Sequence, residues 1–413
     1  MTALVSYDDA LELLLRDIHP LTSEIVTLEQ GVDRILATDI VAPRAQPPVA
    51  MSAMDGYAVR RTDLGNGPWR LTVIAEVPAG GHFDSVLGAG EAVRLFTGAP
   101  VPTGADLVII QENVEREGDV IRGSGGADGS AHIRLAGVDF NKGATLLSRG
   151  RRLSAVDLAL VAAANEPTLT VQSKPRVAIF ASGDELVEPG ASLTPDTIVN
   201  SGSYGVAGLV TAWGGTPVLE PILPDDQQTV EKRLSDRLAD CDVLVTIGGA
   251  SVGDYDVIKP AARALGADLQ FEKVAVKPGK PCWHARTRDG ALFIGLPGNP
   301  ASALVCAHLF LRPLVARLIG QIDEALSWQE AIVGENIPPN GPRESFLRGR
   351  SAWTPNGLRV VADRRQDSSL LTPFAAANIL IRRPPYAAEA VQGDVSSVLP
   401  LESHVGGPRT PSV

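Results

Sequence analysis

The chain has 413 residues, enough for two to four domains with full cores, and its 41 glycines and 31 prolines favour a loop-rich, multi-domain α/β protein over a helical bundle. A formal net charge of −11 argues against a general nucleic-acid binder, so an anionic ligand would have to be held by a few well-placed groups. Three cysteines (Cys241, Cys282, Cys306), none at CxxC spacing, indicate neither a disulfide framework nor a zinc ribbon.

In chain order, apolar Ala10, Leu11, Leu14, Leu15 and Ile18 predict an amphipathic helix over 6–19, with Ser6 as its cap and Asp9 in its first turn. Acids stand in this N-terminal stretch where a signal peptide would carry basic residues, which predicts a cytoplasmic protein. Pro43, Pro47 and Pro48 mark a boundary. From there to about 140 the runs WRLTVIAEV, AVRLF, DLVIIQENV, DVIRG and HIRLAG predict a compact β domain, with GSGGADGSA at a hairpin tip. A further helix is predicted over 153–164.

Over 176–320, strand candidates RVAIFAS, PVLEPIL, DVLVTIGG, LQFEKVAV and ALFIGL alternate with helical stretches at 202–213, 226–239, 255–265 and 300–319. That alternation predicts βαβ units and a mainly parallel sheet covered on both faces. The last helix carries His308, Arg312 and Arg317, so it reads as too polar to span a bilayer. Beyond Trp328 short strands and turns predict a second β domain. The expected division is a discontinuous linker domain (1–46 and 141–174), a β domain (47–140), an α/β domain (175–325) and a C-terminal β domain (326–413).

In an open α/β sheet, ligands bind beyond the carboxyl ends of the strands. Here those ends carry Asp184 and Glu185; Asp225 and Asp226; Gly248, Gly249, Ser251, Gly253, Asp254 and Asp256; Lys277 and Lys280 of KPGKP; and the turn PGNP. Asn299 is placed to cap the final helix, Pro300 suits its first position, and Gly298 lets a ligand approach the backbone, which makes a natural anion site. The glycines of GGASVG suit a backbone nest. Carboxylates beside lysines suit Mg²⁺, which takes one or two carboxylates plus phosphate oxygens while the lysines neutralise remaining charge. The residues thus predict a Mg²⁺-assisted site for a phosphate-bearing small molecule.

Each element alone has a structural reading: KPGKP as a surface turn, PGNP as a helix start, GDEL as a solvated helix N-terminus, GGASVG as a strand-to-helix turn. Their placement at successive strand ends is what favours function. The six histidines have no transition-metal spacing; His308 reads as a core residue and His284 as a surface strand residue. Neither Ser251 nor Cys282 has a base nearby in sequence for covalent catalysis. The arginines of 343–350 and 359–365 read as solvated faces, with Arg364 and Arg365 as the pair able to serve a pocket.

Seven ordered stretches, SAMDGYAV (52–59), FTGAPVPTGAD (96–106), SGDEL (182–186), Asn200-Ser201, GGASVGDYD (248–256), KPGKP (277–281) and GLPGNPASA (295–303), together resemble the molybdopterin molybdenumtransferases, that is, the MoeA family and the gephyrin E domain. The resemblance runs over nearly the whole chain. It implies an elongated homodimer with a linker-like domain, a β domain, a molybdopterin-binding α/β domain and a C-terminal β-barrel-like domain. It implies a Mg²⁺-dependent insertion of molybdate into adenylylated molybdopterin, yielding molybdenum cofactor and AMP.

Carried over by motif, Asp55 and Thr97 would face the partner subunit's crevice. Glu185, Asp225 or Asp226, and Asp256 are the acids for metal binding or substrate orientation. Lys277 and Lys280 would hold phosphate or molybdate oxygens, with Pro297 and Pro300 shaping the anion turn. Ser182, Gly183, Asp184, Asn200, Gly248, Gly249, Ser251, Gly253, Gly279, Gly298, Asn299 and Ser302 complete the substrate-binding set. One stretch departs from the pattern: RRQDSSLL (364–371) lacks the family's frequent Gly-Ser turn, so Ser368 and Ser369 are expected to contribute little. Two alternatives remain at this point: a molybdopterin adenylyltransferase on the same α/β domain, which would need ATP, and a non-catalytic scaffold or sensor paralogue, which would bind substrate without releasing AMP.

Overall fold

A six-stranded sheet at the centre of the chain sets where the candidate residues lie. In spatial order its strands are Thr216–Leu219, Arg176–Ala181, Val243–Ile247, Leu292–Leu296, Trp283–Thr287 and Ala267–Phe271. The first four run parallel, and Trp283–Thr287 is antiparallel to both its neighbours. The computed structural model describes residues 4–126, 128–249, 257–321 and 326–401.

Every residue of Val243–Ile247 and Leu292–Leu296 is buried, as a parallel strand covered on both faces requires. Val177, Ile179, Val243, Val245 and Ile294 face helix Gly202–Ala212 and the Pro300–Leu318 segment. Ala178, Phe180, Leu244 and Phe293, offset by one residue, face helices Gln227–Leu238 and Ile258–Ala264. This period-2 division lets one sheet carry two cores.

The fold departs from the sequence reading in three places here. LQFEKVAV is not one strand. Ala267–Phe271 ends at the sheet edge, Val274 pairs with Val5, and Val276–Lys277 then joins the C-terminal β domain beside Glu344 and Ser345. The chain changes partners there because Val5 takes its hydrogen bonds, donating to the Lys273 carbonyl (3.2 Å) and accepting from Ala275 N (2.7 Å). His284 is a strand residue as expected but not a surface one: it is buried in Trp283–Thr287, with Nδ1 2.8 Å from the Phe293 carbonyl. The helix expected over 300–319 is α-helical over Pro300–Cys306 and Arg312–Leu318 with a π-helical turn, Ala307–Leu311, between them. Pro313, which cannot donate a backbone hydrogen bond, follows that turn. By length and composition alone this 19-residue segment could cross a membrane, but 83% of its apolar window is buried inside the protein as a core helix.

The β domain is a six-stranded sheet in the order Leu107–Ile110, Gly56–Val59, Glu91–Leu95, Pro68–Val77, Val120–Ser124, Glu115–Glu117. In the C-terminal domain, pairing of Glu344–Thr354 with Ile379–Arg383 closes five strands into a barrel. Ser23–Thr27 pairs with Thr168–Gln172, and Ile40–Val41 with Thr145–Leu147, so the two segments flanking the β domain meet. The first helix, Tyr7–Leu15, is capped by the Ser6 hydroxyl, which accepts from Asp9 N. Its Tyr7 ring packs edge-on against Phe310 of the α/β domain and Phe346 of the barrel.

Candidate functional site

Beyond the carboxyl ends of the parallel strands lies an open cavity of about 1190 Å³. One wall is backbone. The Val243–Ile247 strand runs into Gly248, whose φ of +92° and a 2.5 Å approach of any Cβ to the Ser182 carbonyl leave room only for glycine. The Leu292–Leu296 strand runs into Pro297-Gly298, and Gly298 packs against Gly248, where a Cβ would stand 3.4 Å from the Gly248 Cα. Ser182 and Gly249 also line this wall, and the buried Ser182 Oγ has no hydrogen-bond partner among the described residues.

The second wall is cationic. Lys277 and Lys280 flank Pro278-Gly279, and Gly279 is pressed so closely on Cys306 that a Cβ would meet its Sγ at 2.3 Å. Lys273 and Arg343 join them in the lining, and Arg343 Nη1 donates to the Val276 carbonyl at 3.1 Å. None of the three lysines or Arg343 forms an ion pair among the described residues. Lys273 was missed in the sequence. It stands four residues before Lys277 in an alternating run, a spacing that puts both on one face.

A third wall comes from the C-terminal barrel: Gln366, Asp367, Ser368 and Ser369. This corrects the expectation that Ser368 and Ser369 contribute little. Asn299 Nδ2 donates to Ser368 Oγ at 2.7 Å, and Ser302 N to the Ser368 carbonyl at 3.3 Å. Asn299 therefore makes no side-chain cap for the Pro300 helix, and one first-turn amide of that helix is already taken. Asp367 Oδ1 accepts from the Ser369 hydroxyl (2.6 Å) and amide (2.9 Å), which hold its carboxyl below the usual range, with Arg348 adding a smaller pull.

Arg348 shapes that wall. It is 1% exposed; Nη1 donates to the Leu370 carbonyl (2.9 Å) and Nη2 to those of Arg365 (3.1 Å) and Asp367 (2.9 Å). A guanidinium offers donors in a planar fork, so one side chain can organise a whole loop. Arg348 is thus no solvated face. Arg364 is one, at 91% side-chain exposure beside Glu335.

At the acidic end, Glu185 lines the cavity and Asp184 Oδ1 accepts from Asp225 N at 3.2 Å. Partial burial pushes the Asp225 carboxyl up, helped by repulsion from Asp184 and Glu185, so the three carboxylates feel one another. Asp226 does not join them. It is exposed and caps helix Gln227–Leu238 through Thr229 N (2.8 Å), an interaction that lowers its carboxyl. Asn200 also lines the cavity and accepts from Ser203 N at 3.3 Å, while Gly183 is buried against the Glu185 carboxylate. Ser251, Gly253 and Asp256 lie outside the described residues. No cluster of three or more His, Cys, Asp or Glu side chains suited to a metal occurs among the described residues.

Asp55 and Thr97 are not in this cavity's lining. They form a unit at the edge of the β domain, where Asp55 Oδ1 accepts from Thr97 N (2.7 Å) and Thr97 Oγ1 (2.8 Å). Those two bonds, the amide first, lower the Asp55 carboxyl, with a smaller pull from Arg94.

Three family patterns match in order: the MoeA N-terminal region (domain I and II) over residues 5–165, a probable molybdopterin binding domain over 178–317, and the MoeA C-terminal region (domain IV) over 330–401. The molybdopterin molybdenumtransferase of Nostoc sp. is 36% identical, across 79% of this chain and 77% of its own. That of Haemophilus influenzae is 32% identical, across 98% of this chain and all of its own. The solved molybdopterin biosynthesis MoeA protein from Pyrococcus horikosii superposes with a TM-score of 0.85 at 29% identity, covering 97% of this chain and all of that one.

Proposed function

This chain belongs to the molybdopterin molybdenumtransferase family, transferases of molybdenum cofactor biosynthesis, and from that premise we propose that it inserts molybdate into adenylylated molybdopterin in the cytoplasm, releasing AMP. The observation that carries this reading is the charge separation at the cavity: Lys273, Lys277, Lys280 and Arg343, without ion pairs among the described residues, on one wall, and Glu185 at the other end, with Asp184 and Asp225 near it outside the lining.

A pyrophosphate-linked substrate and an oxyanion both need cations that are not already neutralised, and these four offer them. The acidic end fits Mg²⁺: its donors are hard carboxylate oxygens, and Mg²⁺ asks for only one or two from protein when phosphate oxygens and water supply the rest. Glu185, from the cavity lining, would hold it, with Asp225 as one further carboxylate close enough to feel its charge, and it would supply Lewis-acid stabilisation of phosphate charge. The chain's own part is electrostatic and positional. Lys277 and Lys280 stabilise charge on the departing AMP phosphate, the Gly248 and Gly298 turns admit the ligand against backbone, and Ser368 with Asn299 fixes the far wall.

Asp55 and Thr97, outside this chain's own cavity, complete the site of a second copy in a homodimer. The test is AMP release from adenylylated molybdopterin with Mg²⁺, comparing molybdate, tungstate and neither, together with the mass in solution. Pyrophosphate release from ATP, with the AMP moiety carried onto molybdopterin, would favour an adenylyltransferase, and binding without release a scaffold. A strict monomer with full activity would remove the shared site.

A further inference from the structure

Arg94 is 8% exposed and has no carboxylate partner among the described residues. A buried cation without an ion pair is costly unless its surroundings use it. Its guanidinium lies between two rings, 5.1 Å from the centroid of Tyr57 and 4.8 Å from that of Phe96. Nη1 donates to the carbonyls of Gly56 (2.9 Å) and Leu95 (3.3 Å), and Nη2 donates to Gln111 Oε1. Gln111 N in turn donates to the Asp55 carbonyl at 3.1 Å. These contacts fall on Gly56 and Tyr57, which follow Asp55, on Leu95 and Phe96, which precede Thr97, and on Gln111, which binds the Asp55 carbonyl.

We propose that Arg94 is the positioning residue for Asp55. It ties the Asp55-Gly56 turn to the Leu95-Phe96-Thr97 turn, so that the Asp55 carboxylate and the Thr97 hydroxyl are presented as one rigid pair. A neutral side chain of similar length could fill the space between Tyr57 and Phe96, but it could not donate to both turns. Gly56 allows no adjustment of its own, because a Cβ there would meet the Ile109 carbonyl at 2.2 Å. Gly56 and Leu95 are cross-strand partners, so the ladder sets the register, and the guanidinium braces the ends of the two strands beside Asp55 and Thr97. The inference rests on the reading of Asp55 as a residue of the reaction, and the experiment separates the two.

Arg94→Met, Asp55→Asn and the double variant are compared in the full-length protein, by AMP release from adenylylated molybdopterin with Mg²⁺ and molybdate, alongside thermal unfolding. A displaced catalytic group costs up to about 100-fold, so Arg94→Met is expected to lower kcat by at least about tenfold with KM little changed. In the Asp55→Asn background the same substitution is expected to lower kcat by less than about twofold, since the two act as a unit. Equal losses in both backgrounds would show a merely structural arginine and overturn the proposal. If Asp55→Asn alone leaves kcat unchanged, the reading of Asp55 fails and the proposal with it. If Asp55→Asn is damaging while Arg94→Met is neutral, only the proposal fails. Should Arg94→Met not fold, Gln111→Met removes the Nη2 acceptor from a more exposed position and is read by the same cycle.

Discussion

Two walls of the cavity are built in different ways. The Gly248 and Gly298 wall is made by main chain at the ends of buried parallel strands, and a Cβ at Gly248 would strike the Ser182 carbonyl at 2.5 Å. The Gln366–Ser369 wall is an exposed loop of another domain, held from behind by one buried side chain, Arg348. The first is fixed by the sheet and hangs on no single side chain. The second has one, so the two walls should fail differently.

The sharpest way to break the comparison is Arg348→Met. It leaves carbonyls of residues 365, 367 and 370 without their donor, which is expected to cost about 3 kcal/mol of stability. AMP release should fall about 100-fold as the Ser368 wall loosens, checked by chemical unfolding and by steady-state rates. Next, Lys280→Ala removes a cation from the opposite wall without touching either scaffold. kcat/KM should fall about tenfold, with kcat carrying the loss, while the unfolding midpoint stays put, as for the loss of one charge-assisted contact in the transition state.

The strand-built wall can be loosened by pH. Burial lowers the His284 ring to about 4 and the His308 ring to about 3, so both are neutral in the folded protein where the unfolded chain would be protonated. That stability is fully present above the unfolded value near 6.5 and is lost as pH falls toward those folded values, by roughly 1.4 kcal/mol for each unit separating the two values of each ring. Urea midpoints from pH 7 to pH 4 should show it, and His308→Leu should flatten the slope. Ser368→Ala is smaller, removing the acceptor of Asn299 Nδ2 for about 1 kcal/mol and a several-fold loss of rate. Smallest for function is Asp226→Ala, which should lower stability slightly as a lost helix cap and leave KM and the Mg²⁺ requirement alone.

What could be read in the sequence follows the same division. Buried strands and glycine turns leave patterns of their own, so the parallel sheet and the GG and PGNP turns were legible from alternation and spacing. Asn299 was legible as a site residue but not its partner, because Ser368 is 69 residues away. Arg348 sits in a run of arginines that looks like a solvated face, and nothing local distinguishes it from Arg364. His284 was misplaced because the strand that carries it is antiparallel and follows directly on the KPGKP turn. Asp226 looked like Asp225, and only the chain's entry into a helix separates a cap from a free carboxylate.

The first helix has a consequence for how the chain is made. Tyr7 rests on Phe310 and Phe346, and Arg382 bridges Asp8 and Glu344 from the far side of the barrel. Part of its docking surface is therefore assembled from residues synthesised more than 300 positions later. While the ribosome works through the intervening domains, this amphipathic segment has nothing native to cover its apolar stripe. Nascent-chain proteolysis should find residues 7–15 cleavable until the barrel has emerged and protected immediately afterwards, making the N-terminus the last part of the molecule to be secured.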